Sequence, residues 1–117
     1  MKTILIVEDT ELNIDLLTQL LEDDYNLLVA KDGGQGVNMA VEKNPDLILM
    51  DISLPVLDGY QATRKIREAL PSIPIIGLSA HAMEGHKQKA EEAGCDDYLT
   101  KPVNDTLLFE MLGKYLG

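Results

Sequence analysis

Ile4-Leu5-Ile6-Val7-Glu8-Asp9 decides how the rest of the chain is read. Four aliphatic residues run without a polar break and then stop at two acids. A short continuous apolar run of this kind suits a strand buried on both faces, where a half-exposed strand would alternate. Apolar runs, several of them likewise continuous, return at residues 25–30, 47–50 and 75–78, with a shorter one at Tyr98-Leu99. Each run is separated from the next by a stretch with helical spacing.

The spacers carry the period of amphipathic helices. Leu12, Leu16 and Leu20, with Leu17 and Leu21, repeat at four-residue intervals and predict one apolar stripe. Leu107, Leu108, Met111, Leu112, Tyr115 and Leu116 do the same near the C-terminus. Weaker helical patterns cover 35–42, 60–70 and 84–93. Gly94 stands where a helix C-cap glycine belongs, and Pro45, Pro71 and Pro74 punctuate the connections before strands. Five strands alternating with five helices imply right-handed βαβ units and a parallel sheet covered on both faces. The expected fold is a small doubly wound, flavodoxin-like α/β domain of strand order 2-1-3-4-5.

Bulk composition narrows the function. The 117 residues fit one domain, expected to span 1–117 with no effector domain after it. The hydrophobic fraction of 45% supports a buried core, and an aromatic share of 4% without Trp makes that core aliphatic. Ten Lys and Arg against 20 Asp and Glu leave a formal charge of −10. That balance disfavours nucleic acid as a partner and suits a protein partner or a bound cation. Cys95 is the single cysteine, which excludes an intrachain disulfide and fits a reducing compartment. The N-terminal apolar run is too short for a signal peptide core or a membrane span. A soluble, cytoplasmic protein is expected.

In open α/β sheets the working crevice lies at the carboxyl ends of the strands. Glu8 and Asp9 follow the first apolar run, Asp51 the third and Ser79 the fourth, and Lys101 comes just after the fifth. Each residue alone has an ordinary reading as a turn, a cap or a solvated side chain. Together they bring three carboxylates, a hydroxyl and an ammonium to one edge. Crowded carboxylates repel and raise one another's pKa unless a cation compensates. A small set of hard oxygen ligands suits Mg²⁺, which keeps several waters and also binds phosphate oxygens. Lys101 can pair with a phosphoryl group, Ser79 can donate to it, and a carboxylate can attack phosphorus to give an acyl phosphate. Asp51, central among the strands, is the candidate nucleophile.

At this point the chain resembles the receiver domains of response regulators in two-component signalling. Four motifs carry the resemblance along essentially the whole length. They are Ile4-Leu5-Ile6-Val7-Glu8-Asp9, Asp51-Ile52-Ser53-Leu54-Pro55-Val56-Leu57-Asp58-Gly59, Leu78-Ser79-Ala80 and Asp97-Tyr98-Leu99-Thr100-Lys101-Pro102. A narrower likeness, to single-domain phosphorelay regulators and hybrid histidine kinase receivers, rests on Ser79-Ala80-His81-Ala82-Met83 and Asp96-Asp97-Tyr98-Leu99.

The resemblance implies specific roles. Asp51 would accept a phosphoryl group from a phosphohistidine on a histidine kinase or histidine phosphotransfer protein. Asp9 and Asp51 would bind Mg²⁺ directly, Glu8 mostly through water, and Ser53 through its backbone carbonyl. Lys101 would pair with the phosphoryl group, Ser79 would hydrogen-bond to it, and a cis peptide bond would join Lys101 to Pro102. Tyr98 would turn inward as Ser79 moves, changing the face made by the fourth helix, fifth strand and fifth helix. A separate protein would read that face, and the chain would be a monomer or a weak phosphorylation-linked dimer. It would be a switch rather than an enzyme, assisting only its own phosphotransfer and dephosphorylation. Glu8 for Asp, and Ser79 for Thr, are usual variants of the pattern.

Three rivals are weighed against this reading. Aspartyl-phosphate phosphatases commonly carry a second aspartate two residues after the nucleophile, where Ser53 stands here. A flavin-binding protein would need a phosphate loop after the first strand, which Glu8-Asp9-Thr10-Glu11 would repel. A phosphorylation-independent protein-binding module would not need the five polar groups intact. His81 and His86, near one loop, read as solvated surface.

Overall fold

The computed structural model describes residues 1–54, 57–79 and 84–117, with backbone only for 84–87. Pro55, Val56, Ala80, His81, Ala82, Met83 and the His86 side chain, named above, lie outside the described residues. The elements alternate strictly: β1 (Thr3–Val7), α1 (Glu11–Leu21), β2 (Asn26–Ala30), α2 (Gly33–Lys43), β3 (Leu47–Asp51), α3 (Gly59–Ala69), β4 (Ile75–Ser79), α4 (Glu84–Ala93), β5 (Asp97–Thr100) and α5 (Asp105–Leu116). All strand pairs are parallel and the sheet order is β2-β1-β3-β4-β5, the order expected from the sequence.

Why the apolar runs are continuous is visible in where their side chains go. Strand side chains alternate between faces. Leu5, Val7, Ile48, Met50 and Ile75 join one core cluster, while Ile4, Ile6, Leu47, Leu49, Ile76 and Leu78 join the other. The first cluster also holds Ala40 of α2, Ala62 and Ile66 of α3 and Ala90 of α4. The second holds Leu17 and Leu21 of α1 and Leu108 and Leu112 of α5. Both faces are covered, so both sets of side chains are apolar.

Local chemistry fixes several helix ends. The side chains of Asp32, Asp58 and Asn104 accept from the amides of Gln35, Gln61 and Leu107 at 2.8, 2.9 and 3.0 Å, each an N-cap bond. Gly94 ends α4 with φ +115°, a left-handed conformation that glycine adopts without steric cost. The Arg67 side chain crosses from α3 to the Gly94 carbonyl at 2.8 Å and to Asp96 Oδ2 at 2.5 Å. That closes the base of the sheet, at the end opposite the acidic residues.

One stripe differs from its expectation. The buried residues of α1 are Ile14, Leu17 and Leu21, whereas Leu12 and Leu16 are 67% and 51% exposed. Leu107 of α5 is also exposed, and Leu108 and Leu112 face the sheet. A leucine-rich helix offers more than one apolar phase, and contact with the sheet selects among them. Leu16→Ser is therefore expected to change unfolding free energy by less than about 0.5 kcal/mol. Urea denaturation checks it, and a loss several times larger would mean that Leu16 belongs to the buried face.

Candidate acidic site

The parallel sheet places the singled-out residues at one edge. Glu8 and Asp9 leave the end of β1, Asp51 is the last residue of β3, Ser79 is the last of β4, and Lys101 follows β5. In the order β2-β1-β3-β4-β5 the chain reverses direction across the sheet between β1 and β3, where a crevice opens beyond the strand ends. Register brings the groups level: Val7 pairs with Met50, Asp51 with Leu78, and Ser79 with Thr100.

Side chains of Glu8, Asp9 and Asp51 converge, with one carboxylate oxygen of each within 4.8 Å of the others. Glu8 is fully buried, Asp51 is 3% exposed, and Asp9 faces solvent. Lys101 Nζ lies between the two buried acids, 2.8 Å from Glu8 Oε2 and 3.2 Å from Asp51 Oδ2. Asp51 Oδ1 accepts the Ser53 N–H at 3.1 Å. Glu8 Oε1 accepts the Thr10 N–H and Asn13 Nδ2, both at 3.3 Å. Ser79 is 1% exposed, and its carbonyl accepts the Lys101 N–H at 2.7 Å. The Lys101–Pro102 peptide bond is cis. Tyr98, half-buried on β5, packs against the first core cluster beside Gly77.

The electrostatics are unequal. Burial, and then the negative charge of Glu8, push the Asp51 carboxyl up to about 6, and neither the Ser53 amide nor Lys101 brings it back. Among the described residues one ammonium, that of Lys101, is shared between the two and sits nearer Glu8. Burial works against charge on Lys101 too, but the hydrogen bond to Glu8 and the charge of Asp51 outweigh it and hold its pKa above the ordinary value. Two buried carboxylates and an exposed third, with one ammonium, leave an excess of negative charge around hard oxygen donors. That donor set fits Mg²⁺, and it does not fit a soft metal, which would call for thiolate or imidazole.

Sequence reasoning passed over Asn13 and the Thr10 amide, which hold Glu8 from the start of α1. The available signal was a polar residue four positions after Asp9, in the first turn of a leucine-rich helix.

Comparison with known proteins sharpens this picture. The chain matches the family model described as response regulator receiver domain over residues 4–113. It is 38% identical to the polar-differentiation response regulator DivK of Brucella ovis over 119 aligned residues, covering 99% of this chain and 97% of DivK. Among solved structures it resembles the receiver domain of the sensor histidine kinase PA1611 of Pseudomonas aeruginosa PAO1, at a TM-score of 0.91 and 39% identity. That alignment spans 97% of this chain and 96% of the other, and the PA1611 receiver has a magnesium ion coordinated in its active-site cleft. The receiver domain of Saccharomyces cerevisiae Ssk1, solved with the histidine phosphotransfer protein Ypd1, aligns at a TM-score of 0.91 and 34% identity over 97% of this chain and 88% of that one. No helix among the described residues is long and apolar enough to cross a membrane.

Proposed function

Because this chain belongs to the response regulator receiver family of two-component signalling, we propose that it is a stand-alone regulator of residues 1–117 that accepts a phosphoryl group on Asp51. The observation that carries the proposal is Asp51 itself, buried at the carboxyl end of β3 with an ammonium at 3.2 Å and two further carboxylates beside it. The DivK relatives, 97% of whose length the chain covers, support a single-domain reading. The Ypd1–Ssk1 complex supports a histidine phosphotransfer protein or histidine kinase as donor.

In this reading an Asp51 carboxylate oxygen attacks the phosphorus of a phosphohistidine, and the imidazole leaves. Asp9 and Asp51, with Glu8 through water and Ser53 through its carbonyl, would hold Mg²⁺, which when bound would supply positive charge to the phosphoryl oxygens. Lys101 turns from the two carboxylates toward the phosphoryl group. Ser79 donates its hydroxyl to the same group, and Tyr98 moves inward as Ser79 shifts. The chain changes a surface made by α4, β5 and α5, and a separate protein reads it. It works as a switch in the cytoplasm, with catalysis limited to its own phosphorylation and dephosphorylation.

Intact-mass spectrometry after incubation with acetyl phosphate tests the assignment. One phosphoryl adduct per chain is expected with Mg²⁺ and none with chelator. Adducts of equal yield in chelator would refute the acidic site as the phosphorylation centre, and no adduct under any condition would favour a module that binds protein without phosphorylation.

A further inference from the structure

The start of α1 is built unlike the other capped helices of this chain. Thr10 occupies the N-cap position and its hydroxyl makes no cap bond, although a side-chain oxygen there ordinarily accepts an amide of the first turn. Asn13 occupies the third helical position, from which a capping-box side chain reaches back to the N-cap N–H. Here both donors are directed outside the helix. The Thr10 N–H and the Asn13 amide each meet Glu8 Oε1, at 3.3 Å. α2, α3 and α5 instead keep their N-cap side chains for their own amides.

Glu8 needs such holding. Its carboxylate is fully buried, with Oε2 bound by Lys101 at 2.8 Å. The last torsion of a glutamate is soft, with broad wells, so neighbours and not intrinsic preference set the plane of the carboxylate. We propose that Asn13 is a positioning residue for the acidic site: its amide fixes Glu8 Oε1 and so keeps Oε2 on Lys101 and the carboxylate beside the place a bound Mg²⁺ would take. The inference rests on the Mg²⁺ reading above and deepens it. Asn13 works through Glu8.

Residue type and place suit this task. A neutral donor stabilises the Glu8 anion without adding a charge that would oppose a cation. A carboxylate at position 13 would face Glu8 with like charge, and a lysine would duplicate Lys101. Asn13 lines a cavity of about 440 Å³ between α1 and the β5–α5 connection, shared with Leu16, Leu20 and Val103. Truncating it therefore enlarges an existing hollow and leaves the close-packed core intact. Partners of this kind, one bond removed from the metal, typically change metal affinity 10- to 100-fold when lost.

Calorimetric titration of Mg²⁺ into the metal-free chain tests the proposal with four proteins: unaltered, Asn13→Ala, Glu8→Gln and the double variant. Asn13→Ala is expected to weaken Mg²⁺ binding about tenfold, and to add no further loss in the Glu8→Gln background. Gln19→Ala, on the wall of the same cavity, is expected to leave the affinity unchanged. Urea midpoints show that each variant is folded. Mg²⁺ affinity unchanged by Asn13→Ala, or lowered equally with and without Glu8, overturns the positioning role alone. An unaltered chain that fails to bind Mg²⁺ overturns the metal reading and this inference with it.

Discussion

Asp51→Asn is expected to make the metal-free protein more stable at pH 8, by about 2–3 kcal/mol, while removing the proposed phosphoryl acceptor. The sign follows from the direction of the Asp51 shift. A carboxyl raised from 3.8 to about 6 in the folded state is one whose protonated form folding prefers. The corresponding stability is present below pH 3.8 and is lost as pH climbs through about 6, because the charged form must then stay buried beside Glu8. Asparagine keeps the size and the hydrogen-bonding oxygen without the charge. Lys101 loses a partner at 3.2 Å but keeps Glu8 at 2.8 Å. The gain from Asn should therefore hold level from pH 8 down to about 6 and shrink from there toward pH 3.8. Mg²⁺ should close the gap from the other side, by stabilising the unaltered chain more than the variant. Urea unfolding of both proteins at pH 8 and pH 5, with and without Mg²⁺, measures all of this. A variant less stable than the unaltered protein at pH 8 would show that Lys101 compensates Asp51 more fully than its position indicates.

The second large effect concerns a backbone contact beneath the site. Gly59 opens α3 and donates its N–H to the Ile52 carbonyl at 2.9 Å. A Cβ at this position would lie 2.2 Å from the Asp51 carbonyl oxygen and 2.6 Å from the Ile52 Cα. Both are main-chain atoms, so no rotamer change relieves the clash. Gly59→Ala is expected to cost about 3 kcal/mol, the upper end of the usual overpacking range. The strain falls on Asp51, the proposed phosphoryl acceptor. Displacement of Asp51 by a fraction of an ångström or more should also slow phosphoryl uptake, by about 100-fold for a 1 Å error. Thermal unfolding and the rate of adduct formation from acetyl phosphate check the two effects separately. Loss of stability with a normal rate would mean that α3 yields and the end of β3 does not.

Much of the molecule was readable before its structure. Continuous runs such as Ile4-Leu5-Ile6-Val7 mark strands covered on both faces, and all five strands fall on or beside the expected runs. The placement of the candidate site residues was legible because they follow apolar runs at strand ends, and in a parallel sheet those ends share one edge. Helix phase was less legible. Five leucines between Leu12 and Leu21 offer overlapping stripes, and only the sheet's surface selects Ile14, Leu17 and Leu21 for burial. Asn13 was passed over because an amide in the first turn of a helix suits capping as well as it suits a distant carboxylate.

What the sequence determined by itself is the alternation of strands and helices, the handed parallel sheet that follows, and the set of polar groups at its carboxyl edge. These depend on periodicity and on local chemistry, which short segments carry within themselves. Only the tertiary structure decided that one ammonium is shared unequally between Glu8 and Asp51, that Glu8 is fully buried with its other oxygen held from α1, and that Asp51 ionises near pH 6. Glu8 and Lys101 stand 93 residues apart. Their distance, and the water excluded around them, arise when β5 takes its place at the sheet edge. Pairing and pKa follow from those distances and that desolvation, and no local run of residues encodes either.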